Sequence, residues 1–267
     1  MPIIDNELIQ PENEMEVFQK LYNYMERFNR KWKETIKPAS KESMELLKSI
    51  SKIEKWCNDF PQLYKMFLET MGEEDGGLLS ISLIGTGNIR EIIDLYQEFQ
   101  ELYPNVFDTP YFTFFQNEMG MELAFDLRDA KKGNIWEMDC GEKICVNSES
   151  FEKLLFQSAF NGFERFNTYI EIGGSSNQLK NGLNNDLERK EVFDIVDRII
   201  AQYGLRKVWF SDKNHYIAIG EDSGLYMEKK MGILGFVTSD NTKFAKELVD
   251  ELIKNIGVHI YYPHSNI

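Results

Sequence analysis

Between Gly173 and Asp186 the chain reads GGSSNQLKNGLNND. That stretch has too few apolar side chains to enter a core, and its Gly, Ser and Asn content is that of a loop or linker. Any fold must place separate apolar patterns on either side of it. The expected division is a domain over 1–166 and a second, smaller α+β unit over 167–267 that contains this loop.

Ahead of the break the patterns begin helical. Met15, Phe18, Leu21, Tyr22, Met25, Phe28 and Trp32 recur at helical spacing, which predicts one long first helix ended by Lys37-Pro38. Ser40 can cap a second helix bearing Met44, Leu47, Ile50, Ile53 and Trp56. A third starts near Pro61, where the missing N–H costs nothing, buries Tyr64, Phe67, Leu68 and Met71, and stops at Gly72. Asp75-Gly76-Gly77 reads as a turn into a strand over Leu78–Leu83. Asn88 and Glu91 have the spacing of a capping box for a helix with Ile89, Ile92, Ile93, Tyr96 and Phe99. Strands are then expected at Tyr111–Phe115, Glu122–Leu127, Asn134–Met138 and Lys143–Val146, before a helix at Glu149–Ser158.

Beyond the break, a helix over Arg189–Tyr203 precedes an antiparallel meander of Lys207–Phe210, His215–Ile219, Leu225–Glu228 and Ile233–Val237. A helix at Thr242–Asn255 and a strand at Val258–Tyr262 follow. Helices and strands in these runs give an α+β class.

The formal net charge of −14 disfavours nucleic acid and anionic membranes as partners. It is uneven. Residues 1–160 carry 17 Lys and Arg against 29 Asp and Glu, a net of −12, while 161–267 carry 13 against 15. The acidic first part suits a basic partner. Cys57, Cys140 and Cys145 are too few for a disulfide scaffold. The start MPIIDNELIQ lacks a basic region followed by an apolar one, and no run of about 18 apolar residues occurs. The expected compartment is the cytoplasm.

Catalytic constellations are not apparent. His215, His259 and His264 stand apart from one another, and Cys140 and Cys145 have no second pair to make a zinc site. His215 reads as a partly exposed residue at a strand start. Gly85-Thr86-Gly87-Asn88 lacks the third glycine and the lysine of nucleotide-binding loops, so a turn with an N-cap is the better reading. Asp126 and Asp129 could serve acid–base chemistry, but Asp126 at a strand end is better read as a turn or capping residue. No catalytic residue, metal or cofactor is expected.

Four pieces of the segment from Ile53 to about Phe160 carry a family resemblance. The first is IEKWCNDFPQLYKMFLETMGEEDGG, in which Phe60-Pro61, Tyr64, Phe67-Leu68 and Gly76-Gly77 stand at the positions of a Leu-Pro, Tyr, Phe-Leu and Gly-Gly pattern. Asp75 replaces the usual Asn. The second is FFQNEMGMELAFDL, which keeps the strand end Ala124–Leu127 but has Met119, Met121 and Glu122 where the pattern is Gly-rich. Asn134–Asp139 and Ser150–Leu155 are the third and fourth. Together they resemble the SUKH superfamily of bacterial toxin-immunity domains and fungal cell-wall-assembly regulators. The resemblance implies a SUKH-like mixed sheet with packed helices, here with an N-terminal helical extension, and a protein that binds and neutralises a cognate toxin. A regulatory scaffold is the alternative, and an enzyme with scattered site residues is a third. Toxin contact is expected at the acidic loops, through Glu73, Glu74 and Asp75 and through Glu118 and Glu122, against a basic surface.

Overall fold

A computed structural model describes residues 9–102, 108–129, 133–139, 141–163, 167–174, 186–228 and 233–265. The architecture is α+β. Its contacts divide it into two compact units, one over Pro11–Phe163 and one that includes Glu164–Ile267.

The first unit opens with α1 (Glu14–Phe28), started by Asn13, whose side chain accepts the Glu16 amide. It is shorter than its stripe. The chain leaves the helix at Asn29, and Trp32 lies in a separate 3-10 turn, Trp32–Thr35. Strand β1 (Ile36–Lys37) follows, then α2 (Lys41–Ile50), capped by Ser40 as its position predicts. The α2 stripe also breaks early: Lys52 is left-handed, and Ile53–Lys55 forms its own 3-10 turn.

Helix α3 (Gln62–Met71) begins after Pro61 and buries Tyr64, Phe67, Leu68 and Met71. It leads into β2 (Glu74–Asp75), which pairs with β1. The strand expected at Leu78–Leu83 is instead a short helix, α4 (Ser80–Leu83). The reason is local. The Asp75 carboxylate accepts the amides of Gly77 and Leu79 at 2.8 Å and of Ser80 at 3.3 Å, and so caps the turn as a helix start. Strand β3 (Gly85–Thr86) and α5 (Ile89–Leu102) come next. The Asn88 side chain accepts the Arg90 amide at 2.9 Å, the cap half of the expected box.

Strands β4 (Tyr111–Asn117), β5 (Glu122–Asp126), β6 (Ile135–Asp139) and β7 (Glu142–Ser148) stand at the four runs expected as strands. With β3 they form a five-stranded sheet in the order β3-β4-β5-β6-β7. The sheet expected to be mixed has only antiparallel pairings among the described residues. Short turns such as the one between β4 and β5 join neighbours, and a short turn allows no other sense. Helix α6 (Phe151–Phe163) closes the unit.

The core is aromatic. The Tyr64 ring centroid lies within 6.0 Å of the rings of Phe60, Phe67, Phe112, Phe114, Phe125 and Phe151. Burying each such ring contributes about 1.5–3 kcal/mol. The Tyr64 hydroxyl, however, is buried with no hydrogen-bond partner.

The second unit is a six-stranded sheet in the order β13-β8-β12-β11-β10-β9, again antiparallel in every described pairing. Its strands are β8 (Thr168–Gly174), β9 (Arg206–Lys207), β10 (His215–Ile219), β11 (Ser223–Glu228), β12 (Ile233–Ser239) and β13 (His259–Ser265). Helices α7 (Asp186–Gln202) and α8 (Thr242–Ile256) share one core with it, through Val196, Ile199, Leu248 and Leu252 against Ile172, Leu225 and Val237. Strand β8 was not expected. It sits between β12 and β13 and takes in Gly173 and Gly174 from the start of the Gly-rich stretch. Residues 175–185 of that stretch lie outside the described residues. The Lys207–Phe210 strand shrinks to two residues.

Candidate functional site

The sequence puts Glu73, Glu74 and Asp75 on one loop and Gly85–Asn88 on another. The fold brings the two together around a cleft of 390 Å³, also lined by Thr35, Ser80 and Glu91. Gly76, which also lines it, has φ 63, and its carbonyl accepts the Trp32 indole N–H at 3.0 Å. A Cβ on Gly76 would lie 2.4 Å from that nitrogen, so only glycine fits.

The acids around the cleft have different occupations. Glu73 is committed to cations: its carboxylate meets Lys37 at 3.1 Å and pairs closely with Arg90. The Lys37 ammonium, followed by the charge of Arg90, holds it below the usual carboxylate range against the opposing effect of desolvation. Its backbone is fixed as well, since the Glu73 carbonyl accepts the Asn88 side-chain amide at 2.6 Å. Asp75 is spent on capping α4, and its carboxylate also accepts the Ser80 hydroxyl at 3.2 Å. Glu74 is different. Its side chain is 61% exposed and approaches Lys37 only at 4.0 Å. Glu91 is exposed as well. Two of the three clustered acids therefore serve the fold, and Glu74 with Glu91 face solvent.

The second acidic pair is split. Glu118 is exposed on the turn between β4 and β5. Glu122 is buried at 2% exposure, a correction to its expected place on the contact surface. As the first residue of β5 it points inward, where its carboxylate accepts the Thr113 hydroxyl at 2.7 Å. Burial pushes its pKa up, the Thr113 bond opposes that, and the charge of Asp139 adds to it.

Three residues that sequence reasoning passed over stand beside these acids. Ile81 and Ile84 are 58% and 64% exposed, and Met119 is 88% exposed. Ile84 has φ 52 and ψ 64, a left-handed conformation that costs a β-branched residue on the order of 1–3 kcal/mol. Its carbonyl accepts the Glu118 amide at 3.0 Å, which joins the end of α4 to the β4–β5 turn. The one sequence signal was Met119 standing where the resembled pattern has glycine.

Elsewhere, His215 is buried rather than partly exposed. Asp212 accepts the amides of Asn214 and His215 at 2.8 Å, which folds the turn so that the imidazole points inward. The His215 Nδ1 stands 3.4 Å from the Asp212 carboxylate without hydrogen-bonding geometry. Asp126 is held by the Arg128 guanidinium at 2.8 and 2.6 Å, in keeping with a turn role. The side chains of Asp129 and His264, and Cys140, lie outside the described residues. Among the described residues no three His, Cys, Asp or Glu side chains converge as a metal-binding group, and no helix is long and apolar enough to cross a membrane. Among the described residues, no histidine or cysteine lines the cleft. Its exposed carboxylates suit attraction of a cationic surface.

Comparison with protein-family models, with curated proteins and with solved structures finds no match to the chain.

Proposed function

We propose that the chain is an immunity protein, which binds a cognate protein toxin stoichiometrically and neutralises it. The observation that carries the reading is the meeting of the SUKH-like pieces at one residue. Tyr64 of the first piece packs on Phe114 and Phe125 of the second and on Phe151 of the fourth, at 5.4–5.6 Å between ring centroids. Pieces that are each weak in sequence thus share a single core, as parts of one domain should. The surplus of exposed acid at Glu74, Glu91 and Glu118 supports a basic partner. A cytoplasmic place of action belongs to the same reading.

The test is to express the chain together with the protein encoded beside its own gene. The expected outcome is a one-to-one complex on purification and growth of cells that the neighbour alone kills. Killing that persists despite abundant folded chain would refute the proposal.

A further inference from the structure

We infer that the exposed residues Ile81, Ile84 and Met119, on two segments tied by the Glu118–Ile84 backbone bond, mark the surface on which this protein seats its partner, a protein that offers an apolar hollow set among basic side chains. The inference rests on the protein-binding reading above and specifies which surface it uses.

The first ground is the cost of Ile84 to the free chain. Its backbone is left-handed, and its side chain is 64% exposed. A β-branched residue is disfavoured in that region, where asparagine or glycine fits with less strain. An isoleucine 64% exposed gains little from burial in return. The chain keeps a residue that is unfavourable on both counts, and strain of this kind gathers at binding sites.

The second ground is rigidity. Ile81 lies in α4 and Ile84 is the residue that ends it. The carbonyl of Ile84 accepts the Glu118 amide at 3.0 Å, and Gly85 and Thr86 pair with Asn117 and Gln116. The strands approach so closely that a Cβ on Gly85 would stand 2.2 Å from the Gln116 carbonyl oxygen. Within the turn, the Asn117 side chain accepts the amides of Met119 and Met121 at 3.0 and 2.8 Å. A backbone frame this well tied loses little freedom of its own on binding, so the ordering cost falls on the side chains alone.

The third ground is charge, which chooses the occupant. Exposed Glu118 adjoins Met119, and exposed Glu74 lines the same cleft as Gly85. Residues 1–160 carry a net of −12. A second copy would set like charges against each other, whereas a basic protein meets complementary potential around the apolar centre.

The test places the photo-crosslinking residue benzoylphenylalanine at position 81 or 119, and for comparison at 144 on β7 or 234 on β12, in the full chain within its own cell. Ile144 and Leu234 are 56% and 53% exposed, much like Ile81. The expected result is one protein of basic composition joined at 81 and 119 and not at 144 or 234. Its affinity for the chain should fall about tenfold or more with Ile81→Lys or Met119→Lys. Ile84→Asn should lower affinity while leaving the melting temperature unchanged or higher, a pairing that a purely structural role cannot produce. Joining only at 144 or 234, or equally at all four, overturns this surface and leaves the protein-binding reading standing. An acidic partner overturns the charge argument. No joining at any position overturns both the surface and the reading beneath it.

Discussion

The amide of Glu118 donates to the carbonyl of Ile84 at 3.0 Å, so the turn that carries Met119 and the left-handed residue that ends α4 are held as one piece. Close approach of β3 to β4 makes this possible, and Gly85 permits that approach. Gly85→Ala should force the two strands apart and cost about 1–3 kcal/mol, the usual range for overpacking. Denaturant unfolding measures it. Unchanged stability would mean that the two loops are not tied through this contact.

Asp75 belongs to the fold before it belongs to any interface. Its carboxylate holds three backbone amides and the Ser80 hydroxyl. Asp75→Ala should lower stability by about 1–2 kcal/mol, as loss of a helix cap does, and Asp75→Asn by less, because the amide oxygen can still accept. A reversal to lysine at this position would weaken any binding by unfolding α4, and so says little about charge. An Asp75→Ala variant as stable as the parent would return this residue to the list of contact acids.

Tyr64 and Phe67 are both fully buried, yet their substitutions should behave differently. Phe67→Ala should cost about 3–5 kcal/mol, the range for deleting a buried ring. Tyr64→Phe removes a hydroxyl that has no partner, so it should be neutral or stabilising by about 1 kcal/mol. Thermal and denaturant unfolding of the two variants measure this. A large loss of stability in Tyr64→Phe would show that the hydroxyl has a partner after all.

Much of this fold was legible because its patterns are local. The aromatic, β-prone run Tyr111–Phe115, the alternation in Glu122–Leu127, the Ser40 cap, and Pro61 ahead of a bulky stripe each specify an element by themselves. The failures have physical causes. Leu-Ser-Ile-Ser-Leu at 79–83 has the period of a strand, but the Asp75 cap turns it into a helix. Trp32 continues the α1 stripe in sequence, but its indole is drawn to the Gly76 carbonyl, a contact distant along the chain. For the site, an acidic side chain beside a turn reads as exposed whether it is Glu118 or Glu122, and only the register of β5 against β4 separates them. The left-handed backbone of Ile84 has no signature in a β-branched residue.

Glu122 makes stability depend on pH. Burial raises its folded pKa, so the native state keeps a proton that the unfolded chain releases. Its contribution is complete below the ordinary glutamate value of about 4.3 and is lost as pH rises through the raised native value. Glu122→Gln removes that loss. The stability of the variant relative to the parent should therefore increase from about pH 4 upward and then level off. Denaturant titrations across that range measure it. A constant difference would mean that the carboxyl ionises alike in both states.

Glu73 acts in the opposite sense. Its folded pKa is lowered, with Lys37 the first cause. Its contribution is present above the ordinary glutamate value and is lost as pH falls through the lowered one. Glu73→Gln should flatten the acid limb of the stability profile. Because Glu73 is already matched by Lys37 and Arg90, it should contribute less to partner attraction than Glu74 or Glu118.

The proposed binding of a basic protein, through the exposed acids and the apolar residues near them, should be driven by charge at long range. The most direct measurement is the association rate constant with the neighbour-encoded protein, for the parent and for a Glu74→Lys, Glu118→Lys double variant. Each is measured at about 0.01 M and about 1 M salt, where charges act over roughly 30 Å and 3 Å. Salt should slow the parent by about tenfold or more, and the double variant should be slow at low salt with little further dependence. Equal rates for both proteins at both salt concentrations would contradict it.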